Sequence, residues 1–165
     1  MRLVYQYAAK AMIWLGPASD DSDGAMNAIS VIGNEAEALG IQSMKRSEMI
    51  KIWTDLAAGE ASPFDGPVHQ LLYNISTRPN GYYTLPLSAM TALLSRPWWS
   101  RIWVRQELAV ASEAIFACGQ QRVPIGDFAA ALWVFEAHSQ YVYIKGLGND
   151  STLTQLEIQI AAWND

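Results

Sequence analysis

The sequence reads as a helix-rich α/β domain around a small parallel sheet, and three observations point there. Two short, uninterrupted apolar runs, Ala11 to Leu15 and Ala114 to Cys118, end in glycine-containing breaks, as strands buried on both faces of a parallel sheet do. Segments of amphipathic helical spacing lie between and around them. Of 165 residues, 51% are hydrophobic and 16% charged, with seven Trp and seven Tyr, so a core is affordable and disorder is excluded.

In chain order, Leu3, Val4 and Tyr7 share one face of a helix that ends before the first strand. Gly16-Pro17 stops that strand, and Ser19-Asp20-Asp21-Ser22-Asp23 opens a helix to about Leu39, with Gly40 as its stop. A second helix, about Ser43 to Ala57, places Met44, Met49, Ile52, Trp53 and Leu56 at amphipathic spacing. Residues 59–67 and 76–86 are turn-rich loops, and Val68 to Ile75 between them has no clear period. Leu87 to Leu94 is a short helix broken by Arg96-Pro97, which starts another from about Trp98 to Ser112. After the second strand, Gly119-Gln120-Gln121 turns the chain into a hairpin partner at Arg122 to Ile125. Asp127 caps a helix to about Tyr143. Residues 1–145 thus form the domain, and 146–165 a linker with a terminal helix.

Composition closes several functional routes. A net charge of −5, from 16 Asp+Glu against 11 Lys+Arg, argues against nucleic-acid binding, which needs clustered cations. No apolar run reaches the ~18 to 20 residues of a membrane span. Met1 to Tyr7 lacks a signal-peptide layout, so the expected compartment is the cytoplasm. One cysteine, Cys118, excludes a disulfide framework and a thiolate-rich zinc site. Only His69 and His138 remain for metal or triad chemistry, so no metal site is expected. Ser19, Asp21, Asp23 and Gly24 imitate the start of a calcium loop, but Ser30 stands where a bidentate Glu is needed, and helix capping is the better account.

Residues 95–112 are the most informative stretch. On a helix, Trp99, Trp103 and Glu107 stack along one stripe, with Val104, Val110 and Ala111 also close to Glu107. Arg105 and Arg101 lie about 200° and 240° away, too far round to pair with it. A carboxylate on a tryptophan stripe has its charged form disfavoured, a setting suited to a catalytic or ligand-binding acid. The alternative is an edge position paired to an outside arginine or backbone amide. For both tryptophans the alternative to a ligand platform is core packing. For Arg96 and Arg101, phosphate contact stands against capping and solvating the helix.

The same stretch carries a resemblance. Arg96-Pro97-Trp98-Trp99-Ser100-Arg101-Ile102-Trp103-Val104-Arg105-Gln106-Glu107 resembles a sequence block of the fungal heterokaryon-incompatibility (HET) domain. Val4-Tyr5, Ala8 and Trp14-Leu15-Gly16-Pro17 resemble an earlier block, and Cys118-Gly119 a later one. Two strand blocks that open the family's pattern have no counterpart here, so the chain looks like the C-terminal two-thirds of such a domain. That in turn implies an uncovered sheet edge and self-association.

HET domains are similar in turn to TIR domains, and the resemblance implies a partial TIR-like, flavodoxin-like layered fold. Some TIR domains cleave NAD⁺ with the glutamate of a W-x-x-x-E helix. Trp103 to Glu107 has that spacing, so Glu107 is implied as the acid, with Trp99, Trp103, Arg96 and Arg101 as ligand-binding candidates and NAD⁺ as substrate rather than cofactor. The family implies an effector of programmed cell death after non-self recognition, partnered by sensor modules. A non-enzymatic interaction module and an inactive remnant remain the alternatives.

Overall fold

The computed structural model describes residues 10–77, 85–100 and 113–144. Strand β1 (Ala11–Trp14) pairs in parallel with β2 (Ala114–Cys118), from Ala11 opposite Ala114 to Trp14 opposite Ala117. β2 pairs antiparallel with β3 (Gln121–Pro124), closing a hairpin over Gly119-Gln120. The sheet order is β1-β2-β3, so the sheet is mixed and its parallel part is two strands wide. β2 is central and largely buried, as its apolar run requires. β1 departs from the expectation of a strand buried on both faces: Ala11 and Ile13 face the core, while Met12 and Trp14 are exposed. Among the described residues it is an edge strand.

Helix α1 (Ser22–Ala38) buries Ala25, Met26, Ile29, Ile32, Gly33 and Ala36, one stripe at helical spacing. It ends as its sequence implies: Gly40 adopts φ 65°, the left-handed position that a glycine takes without a Cβ penalty. Its start is less orthodox. Asp21 occupies the cap position with φ 54° and makes no side-chain cap bond; instead the Ser22 hydroxyl accepts the Ser19 N–H at 3.1 Å. A 3-10 turn (Ile41–Ser43) leads to α2 (Arg46–Ala58), where the Glu48 carboxylate accepts the Lys45 N–H at 3.2 Å.

The segment without a sequence period, 68–75, lies within α3 (Pro67–Thr77). Proline suits a first helical position, and Leu71, Leu72 and Ile75 form its buried face. Helix α4 (Leu87–Leu94) has the bounds that its sequence implies, and Pro97 to Ser100 follow as a turn rather than the start of a helix. Helix α5 (Ile125–Ile144) begins two residues before Asp127, which is therefore a buried first-turn residue and not a cap. The implied helices over 3–7, 101–112 and 151–165 lie outside the described residues.

α5 is apolar almost all round, burying Phe128, Ala130, Ala131, Leu132, Val134, Phe135 and Ala137, which is the signature of a central helix. α1 packs along it most extensively, with α2 and the sheet on other sides. Two of the indoles packed between helices keep their N–H groups bonded: Trp53 to the Leu72 carbonyl at 3.2 Å and Trp133 to the Ile41 carbonyl at 3.1 Å. Arg46 lies over the Trp133 ring, 5.2 Å from its centroid, and pairs with the buried Glu136. These contacts join α2 to α5 without an unpaired buried carboxylate at Glu136. Among the described residues no helix is long and apolar enough to cross a membrane.

Candidate functional site

In open α/β sheets, ligands gather beyond the carboxyl ends of parallel strands. Here that edge carries the loop Gly16–Asp21 after β1 and the turn Gly119-Gln120 after β2, joined by a bond from the Gly119 N–H to the Gly16 carbonyl at 3.0 Å. The turn Arg96–Ser100 closes over the same end of the sheet, and two of the five candidate residues, Arg96 and Trp99, belong to it.

Arg96 reaches back across most of the chain. Its Nη1 donates to the carbonyls of Leu15 and Pro17 at 3.0 Å each, and to the Cys118 sulfur at 3.0 Å. Its Nη2 donates to the Ser19 carbonyl at 3.3 Å and hydroxyl at 3.0 Å. The Ser19 hydroxyl in turn donates to the Asp20 carboxylate at 2.9 Å. Both terminal nitrogens are thus committed to groups of the protein itself, and what the guanidinium does here is neutralise a cluster of carbonyl dipoles.

Trp99 points the other way, toward the core. Its ring stacks on Phe116 (centroids 5.4 Å apart, planes at 26°) and tilts against Phe128 at 5.7 Å, and its N–H donates to the Leu93 carbonyl at 2.8 Å. Trp98 meets Trp99 edge-on at 4.8 Å and Phe116 at 5.6 Å. Phe116 and Cys118 alternate onto the same face of β2, so Arg96 and Trp99 grip that face at neighbouring positions. Trp103, Arg101 and Glu107 lie outside the described residues.

Three features of the described fold are not announced by residue types in the sequence. The carbonyl cluster of Leu15, Pro17 and Ser19 is a backbone property that residue types do not announce. The second is a carboxyl pair. Glu37, near the end of α1, is raised above its ordinary 4.5 by a hydrogen bond with Asp127, then by burial and by the charge of Asp127. The folded chain therefore holds a proton there more tightly, and the pair's stability is present at low pH and lost as pH rises through the raised value. Glu37→Gln is expected to raise the thermal midpoint at pH 7 and to change nothing below about pH 4.5. The gain is roughly a few tenths of a kcal/mol, because Glu37 is exposed and water screens the repulsion. An equal gain at both pH values would show that the carboxyl pair is not its source.

The third feature is His138, whose ring lies T-shaped to that of Trp53 between α5 and α2, centroids 5.1 Å apart. Among the described residues, no group of three or more His, Cys, Asp or Glu side chains is placed to hold a metal ion.

The comparisons with known proteins agree on one family. A family model described as heterokaryon incompatibility protein (HET) matches residues 1–107, a span that ends on Glu107. The chain is 27% identical over 129 residues to heterokaryon incompatibility protein 6, OR allele, of Neurospora crassa, an alignment covering 74% of this chain. It spans 17% of that relative's length. No solved structure matches.

Proposed function

The chain belongs to the heterokaryon incompatibility (HET) family, and on that footing we propose that it is an effector of non-self-recognition cell death in fungi, acting in the cytoplasm through TIR-like cleavage of NAD⁺. The observation that supports the reading is Trp103-Val104-Arg105-Gln106-Glu107, which has the W-x-x-x-E spacing and lies within the family match. In the proposed step the bond between ribose C1′ and the nicotinamide nitrogen breaks, and its electron pair leaves with nicotinamide. Water adds to the oxocarbenium centre and gives up a proton, so the products are nicotinamide, ADP-ribose and H⁺. The Glu107 carboxylate holds the ribose hydroxyls and stabilises the positive charge that develops on the sugar.

A second reading has its own observation. Arg96 and Trp99, two of the residues expected to face a ligand, are engaged with the protein's own loop and core. This favours a block that builds the domain, as in a non-enzymatic module assembling with sensor proteins or with copies of itself. Nicotinamide release by the purified chain separates the two. On the enzymatic reading Glu107→Gln lowers turnover by about 100-fold or more while the chain stays folded. Absence of turnover in both forms, with concentration-dependent assembly intact in Glu107→Gln, selects the module.

A further inference from the structure

We propose that Arg96 is the latch of a two-state loop: it holds Gly16–Asp21 in a strained closed form, and its release opens this end of the sheet, exposing Cys118, while the rest of the core stays folded.

The closed form stores strain. Asp20 and Asp21 sit consecutively at φ 53° and φ 54°, the left-handed region that most non-glycine residues avoid and that Asp tolerates in tight turns. Such backbone persists only where its surroundings over-determine it. Within the loop the turn is closed by the Ser22 N–H on the Ser19 carbonyl at 2.9 Å and the Ser19 N–H on the Ser22 hydroxyl at 3.1 Å, while the Asp21 side chain makes no cap bond and residues 17–21 are all exposed. What ties this turn down onto the sheet comes from far along the chain: one guanidinium with three carbonyls, a hydroxyl and a sulfur, and the Gly119 N–H on Gly16. The bonds to Leu15, Pro17 and Ser19 span 77 to 81 residues, so they have no local substitute once broken.

The two sides of the clasp differ in how firmly they are anchored. Arg96 leaves a turn whose tryptophans are packed on Phe116 and Phe128, so its backbone is held in the core. The loop buries no apolar side chain of its own between Gly16 and Asp21. Opening therefore moves the loop rather than the arginine, and it is local because few packed groups separate. Cys118 lies at the end of β2 under the guanidinium, fully buried, with Pro17 as its other polar neighbour at 3.8 Å. It becomes reachable when the loop lifts. As the chain's single cysteine, it reports on that motion without interference.

The experiment labels Cys118 in the folded chain with a thiol reagent such as dithionitrobenzoate, alongside amide hydrogen exchange. Wild type is expected to react slowly. Arg96→Ala is expected to react about tenfold faster or more, with faster exchange confined to residues 16–22 and 117–119 and unchanged exchange along α2 and α5. Arg96→Lys keeps the charge but not the fork, and Ser19→Ala removes one acceptor; both are expected to fall between. Should Arg96→Ala fail to fold, these two milder variants decide the matter by the same readouts. Labelling rates equal to wild type in the folded variants overturn the proposal. So does acceleration matched by faster exchange throughout α2 and α5, because the arginine would then support the whole core and not a separable loop.

Discussion

Alanine at Gly33 is expected to destabilise the protein by about 3 kcal/mol or more, or to prevent folding. A Cβ built there would lie 1.9 Å from the Asp127 carbonyl oxygen and 2.6 Å from its carbon. Both are backbone atoms in the first turn of α5, so relief requires the two helices to separate, not a side chain to turn aside. Separation loosens the contact between α1 and α5, which is the most extensive pairing of elements in the described core. Alanine's better helix propensity returns only ~1 kcal/mol, well short of that cost. Gly59→Ala is the natural control. It sits at φ 74° with no heavy atom within 4 Å of the added carbon, so it should cost about 1 kcal/mol from backbone strain alone. Urea midpoints of the two variants, at matched slope, make the comparison. Near-equal midpoints would mean that α1 and α5 are not in close contact at Gly33.

That close approach illustrates what the sequence could and could not disclose. Apolar runs ended by glycine gave both parallel strands to within a residue, although only β2 is largely buried and the apolar Met12 and Trp14 of β1 are exposed. α1 was legible from its ends, Ser19 to Asp23 at the start and Gly40 at the stop, and the fold shows Ala25, Met26, Ile29, Ile32 and Ala36 as its buried stripe. Gly33 lies on that stripe, but nothing in the local pattern tells a glycine chosen for contact from one merely tolerated. The segment 68–75 was opaque because a short helix shows barely two turns, and its partner Trp53 comes from a different helix.

For Arg96 and Trp99, the two candidate residues that are described, the direction of the side chain was not legible. Periodicity places Trp99 on a stripe, yet it cannot say that Phe116 and Phe128 wait on the other side of that stripe. Arg96 was a candidate with two readings, phosphate contact or capping and solvating the helix; in the fold its guanidinium bonds the loop after β1. Its partners are backbone carbonyls about eighty residues away, and carbonyls are common to every residue type. Long-range polar contacts of this kind are set by topology, which a single sequence encodes only through the whole fold.

Between pH 6.5 and 4, the folded chain is expected to lose about 3 kcal/mol of stability through His138 alone. Burial holds this imidazole at about 4, below its ordinary 6.5, because the charged form would be stripped of water between α5 and Trp53. The unfolded chain then binds more protons than the folded chain throughout that interval. Stability is therefore fully present above about 6.5 and drains as pH falls toward 4. Glu37 acts with the opposite sign, since its raised value favours the folded state at low pH, and it blunts the acid loss. The Glu37→Gln background removes that opposing slope and isolates the histidine. Denaturant midpoints at pH 7.5 and 4.5, with and without His138→Leu, make the test. Leucine is expected to change the absolute stability through packing against Trp53, but its midpoint should be nearly flat across the interval. If the leucine variant falls as steeply as the histidine form, the acid sensitivity lies elsewhere and the imidazole is better solvated than its place beside Trp53 implies.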